Sequence, residues 1–245
     1  CFNHTINPNL ILKTLLFGSV YWFVPEYIIL FLFSPVLNIF ADHADRKMFI
    51  CVLLSFFLVE LVLGWFWQYS TFEGGYSALH FFGIYLLGRY LRLHKPSFLQ
   101  HTNKRNAVLY IVFTIIPIMG TAASLYFKDT QYGQHVYTSP FVIAASVYFF
   151  AFFRNLQFSS NLINSLANSC FSIYLIHCHP LIFPQFTKLI NRIDAATNGM
   201  VTILIVFFGG VLFCLLCMLI DKIRMSVWKF ICTLSNKYLC AHFTS

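Results

Sequence analysis

Charge is scarce in this sequence. Eight acidic and sixteen basic side chains serve 245 residues, 10% in all, where a soluble domain carries roughly 25%. A water-facing surface cannot be built from so few, and a soluble globular class is excluded. Tracts of about ten residues with alternating polarity, the mark of strands crossing a bilayer, are also missing. Repeats and low-complexity segments are absent, and connections such as Ala41 to Lys47 and Tyr69 to Tyr76 are too short to fold alone. One transmembrane domain over residues 1–245 is expected. The chain begins at Cys1, with neither an initiator Met nor the charged start, apolar core and small-residue cleavage site of a signal peptide. That start implies sequence upstream.

What the chain has is apolar length. Hydrophobic residues make up 59% and aromatics 19%, collected in runs of about 17 to 25 residues, enough for a helix to cross the hydrocarbon layer. The runs predict an all-α polytopic bundle of about seven spans, near 15–39, 48–68, 77–93, 106–127, 139–156, 163–184 and 199–221, the third and fifth being shortest.

Basic residues in short loops mark the cytoplasmic side. Arg89, Arg92, Lys95, Lys104 and Arg105 follow the third run without an intervening acid, and Lys222, Arg224, Lys229 and Lys237 follow the seventh. Arg46, Lys47 and Arg154 fall on the same side by alternation, whereas Glu73, Lys128 with Asp129, and Lys188, Arg192 with Asp194 fall opposite. The N-terminus is therefore expected outside and the C-terminus in the cytoplasm. This asymmetry accounts for the net charge of +8 without a nucleic-acid partner, since the basic residues flank spans and do not form a folded polar surface. The membrane lipid is the expected surrounding. The tail from Asp221 mixes Val227, Trp228, Ile231, Leu234 and Tyr238 with lysines and an arginine, as an interfacial helix does.

Cysteine chemistry is not indicated. Cys51, Cys170, Cys178, Cys214 and Cys217 lie inside expected spans, and Cys232 and Cys240 lie where thiols stay reduced. The spacing of Cys214 and Cys217 matches half a zinc site, but apolar Leu215 and Leu216 between them favour packing over metal. Asn3, His4 and Thr5 fit a glycosylation acceptor, a short pattern that recurs by chance.

Ionisable groups inside apolar spans cost roughly 2.5 to 3.5 kcal/mol on insertion scales, so each one is a functional candidate. Glu26, Glu60, His80, His177 and His179 are those groups. Glu26 follows Pro25, whose ring predicts a kinked helix and a cavity; a protonated carboxyl bonded between helices is the alternative. Glu60 stands among Leu58, Val59, Leu61 and Val62, which favours a structural role. His80, near the outer start of its span, needs no ligand. The sixth run is the most polar: at 100° per residue Asn161, Ser165, Asn168 and Ser172 share one stripe, read as helix packing. His177 has Tyr174 one turn back and Pro180 just ahead, which bends or ends the helix at His179. An imidazole beside a phenol can orient or relay a proton.

The stretch Ser172, Ile173, Tyr174, Leu175, Ile176, His177 resembles the Ser-x-x-Tyr-Leu-x-His signature in a late span of the membrane acyltransferase-3 family, which O-acetylates cell-envelope saccharides. Tyr21-Trp22-Phe23 through Ser34-Pro35-Val36-Leu37-Asn38 is similar to a mid-protein span of that family's bacterial glycan-modifying branch. Gly74-Gly75-Tyr76-Ser77 leading to Tyr85-Leu86-Leu87-Gly88-Arg89-Tyr90 resembles its short loop and following span. The three matches occur in order and together cover most of the chain.

The resemblance implies about ten spans with both ends cytoplasmic, and a main catalytic histidine and arginine in the first spans. Three leading spans would then lie upstream of Cys1, leaving seven with the orientation read from charge. The implied chemistry is transfer of an acyl group, most simply acetyl from acetyl-CoA, to a hydroxyl of an extracytoplasmic saccharide or glycolipid, in a bacterial cytoplasmic membrane and with no metal. His177 and Tyr174, with Glu26, are the expected acceptor-side or supporting residues. Arg89 and Arg92 are candidates for the phosphates of coenzyme A, against simple topology marking. A transporter with Glu26, Glu60 and His177 lining a substrate or proton path is the alternative, although related halves are absent. A seven-helix receptor fits only if the span count is intrinsic.

Overall fold

A computed structural model describes residues 21–126 and 136–243. The first residues of the span expected at 15–39, the acceptor pattern at Asn3, and Lys128 with Asp129 lie outside the described residues. The described residues are helical, joined by turns, with no strand among them. They form two compact units, one of Trp22–Phe158, the other of Tyr21 with the chain from Ser159 onward.

The first unit begins with α1 (Phe23–His43) and α2 (Arg46–Val59), the latter continuing into a π-helical turn over Glu60–Phe66. Asp45 starts α2 by accepting the Met48 N–H at 2.9 Å, a side-chain cap of the usual kind. α3 (Ala78–His94) is capped by Ser77 and ends where Lys95 turns left-handed. Two i, i+4 rungs join α1 to α3: the Tyr85 phenol donates to Asn38 at 2.7 Å, and Arg89 pairs with Asp42. Both partners advance in the same direction, so α1 and α3 run parallel. Between α2 and α3 the order reverses. Phe49 packs on Tyr90 at one end and Glu60 bonds His80 at the other, an antiparallel hairpin. Gly83 lets the two helices close, since a Cβ there would lie 2.0 Å from the Phe56 ring.

α4 (Asn103–Tyr126) and α5 (Pro140–Arg154) form a second antiparallel pair, with Phe113 stacked on Tyr148 and Tyr110 against Phe149. Between α3 and α4 a short 3₁₀ turn, Ser97–Gln100, buries Leu99. Asn155 holds that turn by donating to the carbonyls of Leu99 and His101, both at 3.2 Å. The core of the unit is made of Ala41, Phe49, Leu53, Leu86, Tyr90, Leu91, Leu99 and Ala151.

In the second unit the sixth apolar run is not one helix. It divides into α6 (Asn161–Ala167) and α7 (Cys170–His177), then turns, and α8 (Phe183–Ala196) follows before the long α9 (Gly199–Phe243). Asn164, Asn168 and Ser169 supply side chains that compete with the helical ladder, Pro180 disfavours helix at His179, and Pro184 in the first turn of α8 suits a new start. The pieces follow one another down α9 in antiparallel order. Lys222 donates to the Ser165 carbonyl, Ser172 donates to the Cys217 carbonyl at 3.1 Å, and His177 faces Phe213. The tail read as a separate interfacial helix is continuous with the last span.

Among the described residues four helical stretches are long and apolar enough to cross a membrane: Phe23–His43, Arg46–Phe66, Asn103–Ser124 and Gly199–Thr233. α3, with 17 residues, and α5, with 15, are shorter.

Candidate functional site

The candidate catalytic and binding residues singled out from the sequence fall in different places. Tyr174 and His177 lie on α7 in the second unit, and Glu26, Glu60, Arg89 and Arg92 lie in the first.

His177 is the last residue of α7, and its imidazole sits among aromatic edges. Ring centroids of Phe186, Phe183 and Phe213 lie 5.1, 5.6 and 6.1 Å away, each nearly perpendicular to it. Its Nδ1 is 4.0 Å from the Cys178 sulfur. Tyr174, one turn earlier, stacks on Phe171 and meets the edge of Tyr21. The Tyr21 phenol then donates to the Leu175 carbonyl at 3.1 Å, satisfying one of the acceptors that the end of α7 leaves free. Signature and helix break thus coincide. The aromatic rings fix where the imidazole points, and Cys178 sits on its Nδ1 side.

His179 has a different job. Its Nδ1 accepts the Leu181 N–H at 3.2 Å, and its carbonyl accepts from Ile182 and Phe183. The residue shapes the entry to α8, and its Nδ1 must be unprotonated to do so.

Glu26 lies in the first turn of α1, where a carboxylate is favoured by the helix dipole. Pro25 stands beside it as the third residue of the described helix, a position whose N–H has no intrahelical partner, and the part of the expected span that a kink here would join lies outside the described residues.

Arg89 and Arg92 line one cleft between α3 and α5, about 490 Å³, whose other walls include Ile84, Leu87, Ile143 and Phe150. Arg89 is anchored by Asp42, and its Nε is buried without a partner. Arg92 is exposed. An anionic head can meet the guanidiniums while an apolar body lies along the helices.

The pair that sequence reasoning missed is Glu60 with His80. Both are buried, at 0% and 6% exposure, and Glu60 Oε1 lies 2.5 Å from His80 Nδ1. The other carboxyl oxygen, Oε2, has no hydrogen-bond partner. Glu60 opens the π-helical turn, a rare conformation that recurs at functional sites, and the turn places Trp67 N–H on the Val62 carbonyl at 3.1 Å. A signal was present in the sequence. Glu60 and His80 are equally far from Ser70, the middle of the short connection, and a tight helical hairpin brings such residues level.

Among the described residues no group of three or more His, Cys, Asp or Glu side chains could hold a metal ion, and the described cysteines are free thiols.

Comparison with known proteins gives one match, and it spans the chain. The family model described as an acyltransferase domain covers residues 4–221. No curated protein and no solved structure matches. With apolar helices of membrane-crossing length and the acyltransferase-3 signature at the end of α7, this match makes the chain a member of the acyltransferase-3 family and a membrane acyltransferase.

Proposed function

We propose that the protein moves an acyl group, most simply acetyl, from acyl-CoA to a hydroxyl of an extracytoplasmic saccharide or glycolipid, in the cytoplasmic membrane of a bacterium. The observation that carries this reading is the cleft holding both Arg89 and Arg92. Two guanidiniums three residues apart on α3, above an apolar wall, suit a phosphate-bearing donor whose acyl end must enter the bilayer.

In the reaction the acceptor oxygen attacks the thioester carbonyl carbon, its proton passes to a base, and the C–S bond breaks to release the thiol of coenzyme A. Stabilising the oxyanion and taking the proton are both stronger in a dry site. His177, with Tyr174 behind it, acts on the acceptor side, and Glu26 supports the acceptor cavity. The N-terminus is placed outside and the C-terminus in the cytoplasm, on the basic residues that follow the third and seventh apolar runs.

Arg92→Gln is expected to raise KM for labelled acetyl-CoA about tenfold, the loss of one charge-assisted contact, with kcat nearly unchanged in membranes. An unchanged KM would reduce the arginine to a topology marker. For the orientation, a single cysteine at position 95 should react with an impermeant maleimide only from the cytoplasm, and one at position 73 only from the other side. The reverse pattern would invert the bundle.

A further inference from the structure

We propose that Tyr76 and Tyr137, with the carboxylate of Glu73, form a preformed binding corner for the saccharide acceptor. The inference rests on the acyltransferase reading above and assigns its acceptor a place.

The corner is built from two connections of the first unit. Between the π-helical turn and α3, the chain from Gln68 to Gly75 holds two non-glycine residues at positive φ, Gln68 at 48° and Glu73 at 45°, followed by Gly74 at 64° and Gly75 at 98°. Such backbone costs on the order of 1–3 kcal/mol per strained residue and is kept where the surroundings demand it. Here the surroundings are explicit. The Tyr137 N–H donates to the Gly74 carbonyl at 2.9 Å, and Gly75 lies so close beneath Tyr137 that a Cβ would come within 2.4 Å of the Tyr137 Cβ. Phe72 is buried at 3% exposure and packs over Gly64, whose ideal Cβ would sit 3.1 Å from the Phe72 ring and 3.2 Å from Thr138. Gly64 is one turn beyond Glu60, so the buried Glu60–His80 pair and the loop share one foundation.

This foundation presents two rings at an angle. Tyr76 and Tyr137 have centroids 5.2 Å apart with planes at 69°. Trp22 backs Tyr76 from the other side at 4.4 Å. Tyr76 is 41% and Tyr137 45% exposed, so each leaves a face open. Burial, then the neighbouring Tyr137 phenol, push the Tyr76 phenol above its usual range, and it stays neutral and able to donate. Glu73 is exposed beside them.

A sugar ring suits that chemistry. Its C–H bonds carry partial positive charge and meet the negative face of an aromatic ring, while its hydroxyls reach outward to a carboxylate and a phenol. Tyr and Trp also gather at membrane interfaces as a belt, but belt residues need no strained, interlocked loop to hold them. The exposed Trp67, at 71%, makes no contact with either tyrosine ring among the ring pairs of the corner and serves as the belt control.

The test uses the protein expressed from its full reading frame in host membranes supplied with labelled acetyl-CoA, following label on envelope saccharide and label released as free acetate. Tyr137→Leu is expected to lower transfer to saccharide about tenfold, leaving KM for acetyl-CoA and acetate release unchanged. Tyr137→Phe should keep most of the transfer, and Trp67→Leu all of it. Glu73→Gln should lower transfer in the same selective way. Wild-type transfer by Tyr137→Leu, or an equal fall in Trp67→Leu, would overturn the corner. A wild-type chain that places label on lipid or protein and none on saccharide would overturn the acceptor reading itself.

Discussion

His80→Leu is expected to destabilise the protein by about 3–5 kcal/mol, the loss found when one partner of a buried ion pair is removed. The variant leaves Glu60, at 0% exposure, without its bonded partner His80, and among the described residues its Oε2 already has none. A carboxyl in that state must be neutralised or pull water into the helix interface, and either outcome opens the hairpin of α2 and α3. Glu60→Gln should be milder, because an amide still meets the His80 ring. The double variant Glu60→Leu, His80→Leu should recover most of the stability, since two apolar residues of similar volume need no partner. Thermal unfolding in detergent, read against the wild type, gives the three values. If the double variant unfolds as early as His80→Leu, the geometry of the π-helical turn and not charge burial sets the stability.

The same pair shows what the sequence could and could not disclose. Apolar runs placed the end of α1 and the helices α2 through α5, with the π-helical turn after α2, to within a few residues, because their ends carry ordinary signals: Asp45, Ser77, Pro140 and Lys95. A lone Glu60 among leucines and valines read as structural because its partner lies twenty residues away. Only the hairpin register brings the two level. Periodicity failed for the sixth run in the opposite way. A stripe drawn through Asn161, Ser165, Asn168 and Ser172 assumes one unbroken helix, and the break between α6 and α7 shifts its phase. The run is rich in Asn and Ser, residue types that favour helix ends over helix interiors, and of the stripe only Asn168 lies at the break itself. The candidate residues were legible as types, but the sequence does not say which unit each one joins.

His177→Ala is expected to lower acyl transfer by about 100-fold, the smaller end of what a positioned acid or base contributes, at near-normal abundance. The structure sharpens why this residue and not its neighbour should matter. His177 is set by ring contacts from Phe183, Phe186 and Phe213, which orient the imidazole, with only the weak contact of the Cys178 sulfur at Nδ1 among the described side chains. His179 has Nδ1 engaged by the Leu181 N–H, so it holds the turn that precedes α8. His179→Ala should therefore cost about 1 kcal/mol of stability, as loss of one side-chain to backbone hydrogen bond does, and lower protein abundance more than turnover per molecule. His177→Gln should recover part of the transfer if the ring only donates or accepts a hydrogen bond, and little if it must carry a proton away from the acceptor hydroxyl. Transfer would be followed with labelled acetyl-CoA in membranes, normalised to the amount of folded chain. Full transfer by His177→Ala at normal abundance would leave the histidine as one more ring in the aromatic contact between α7, α8 and α9.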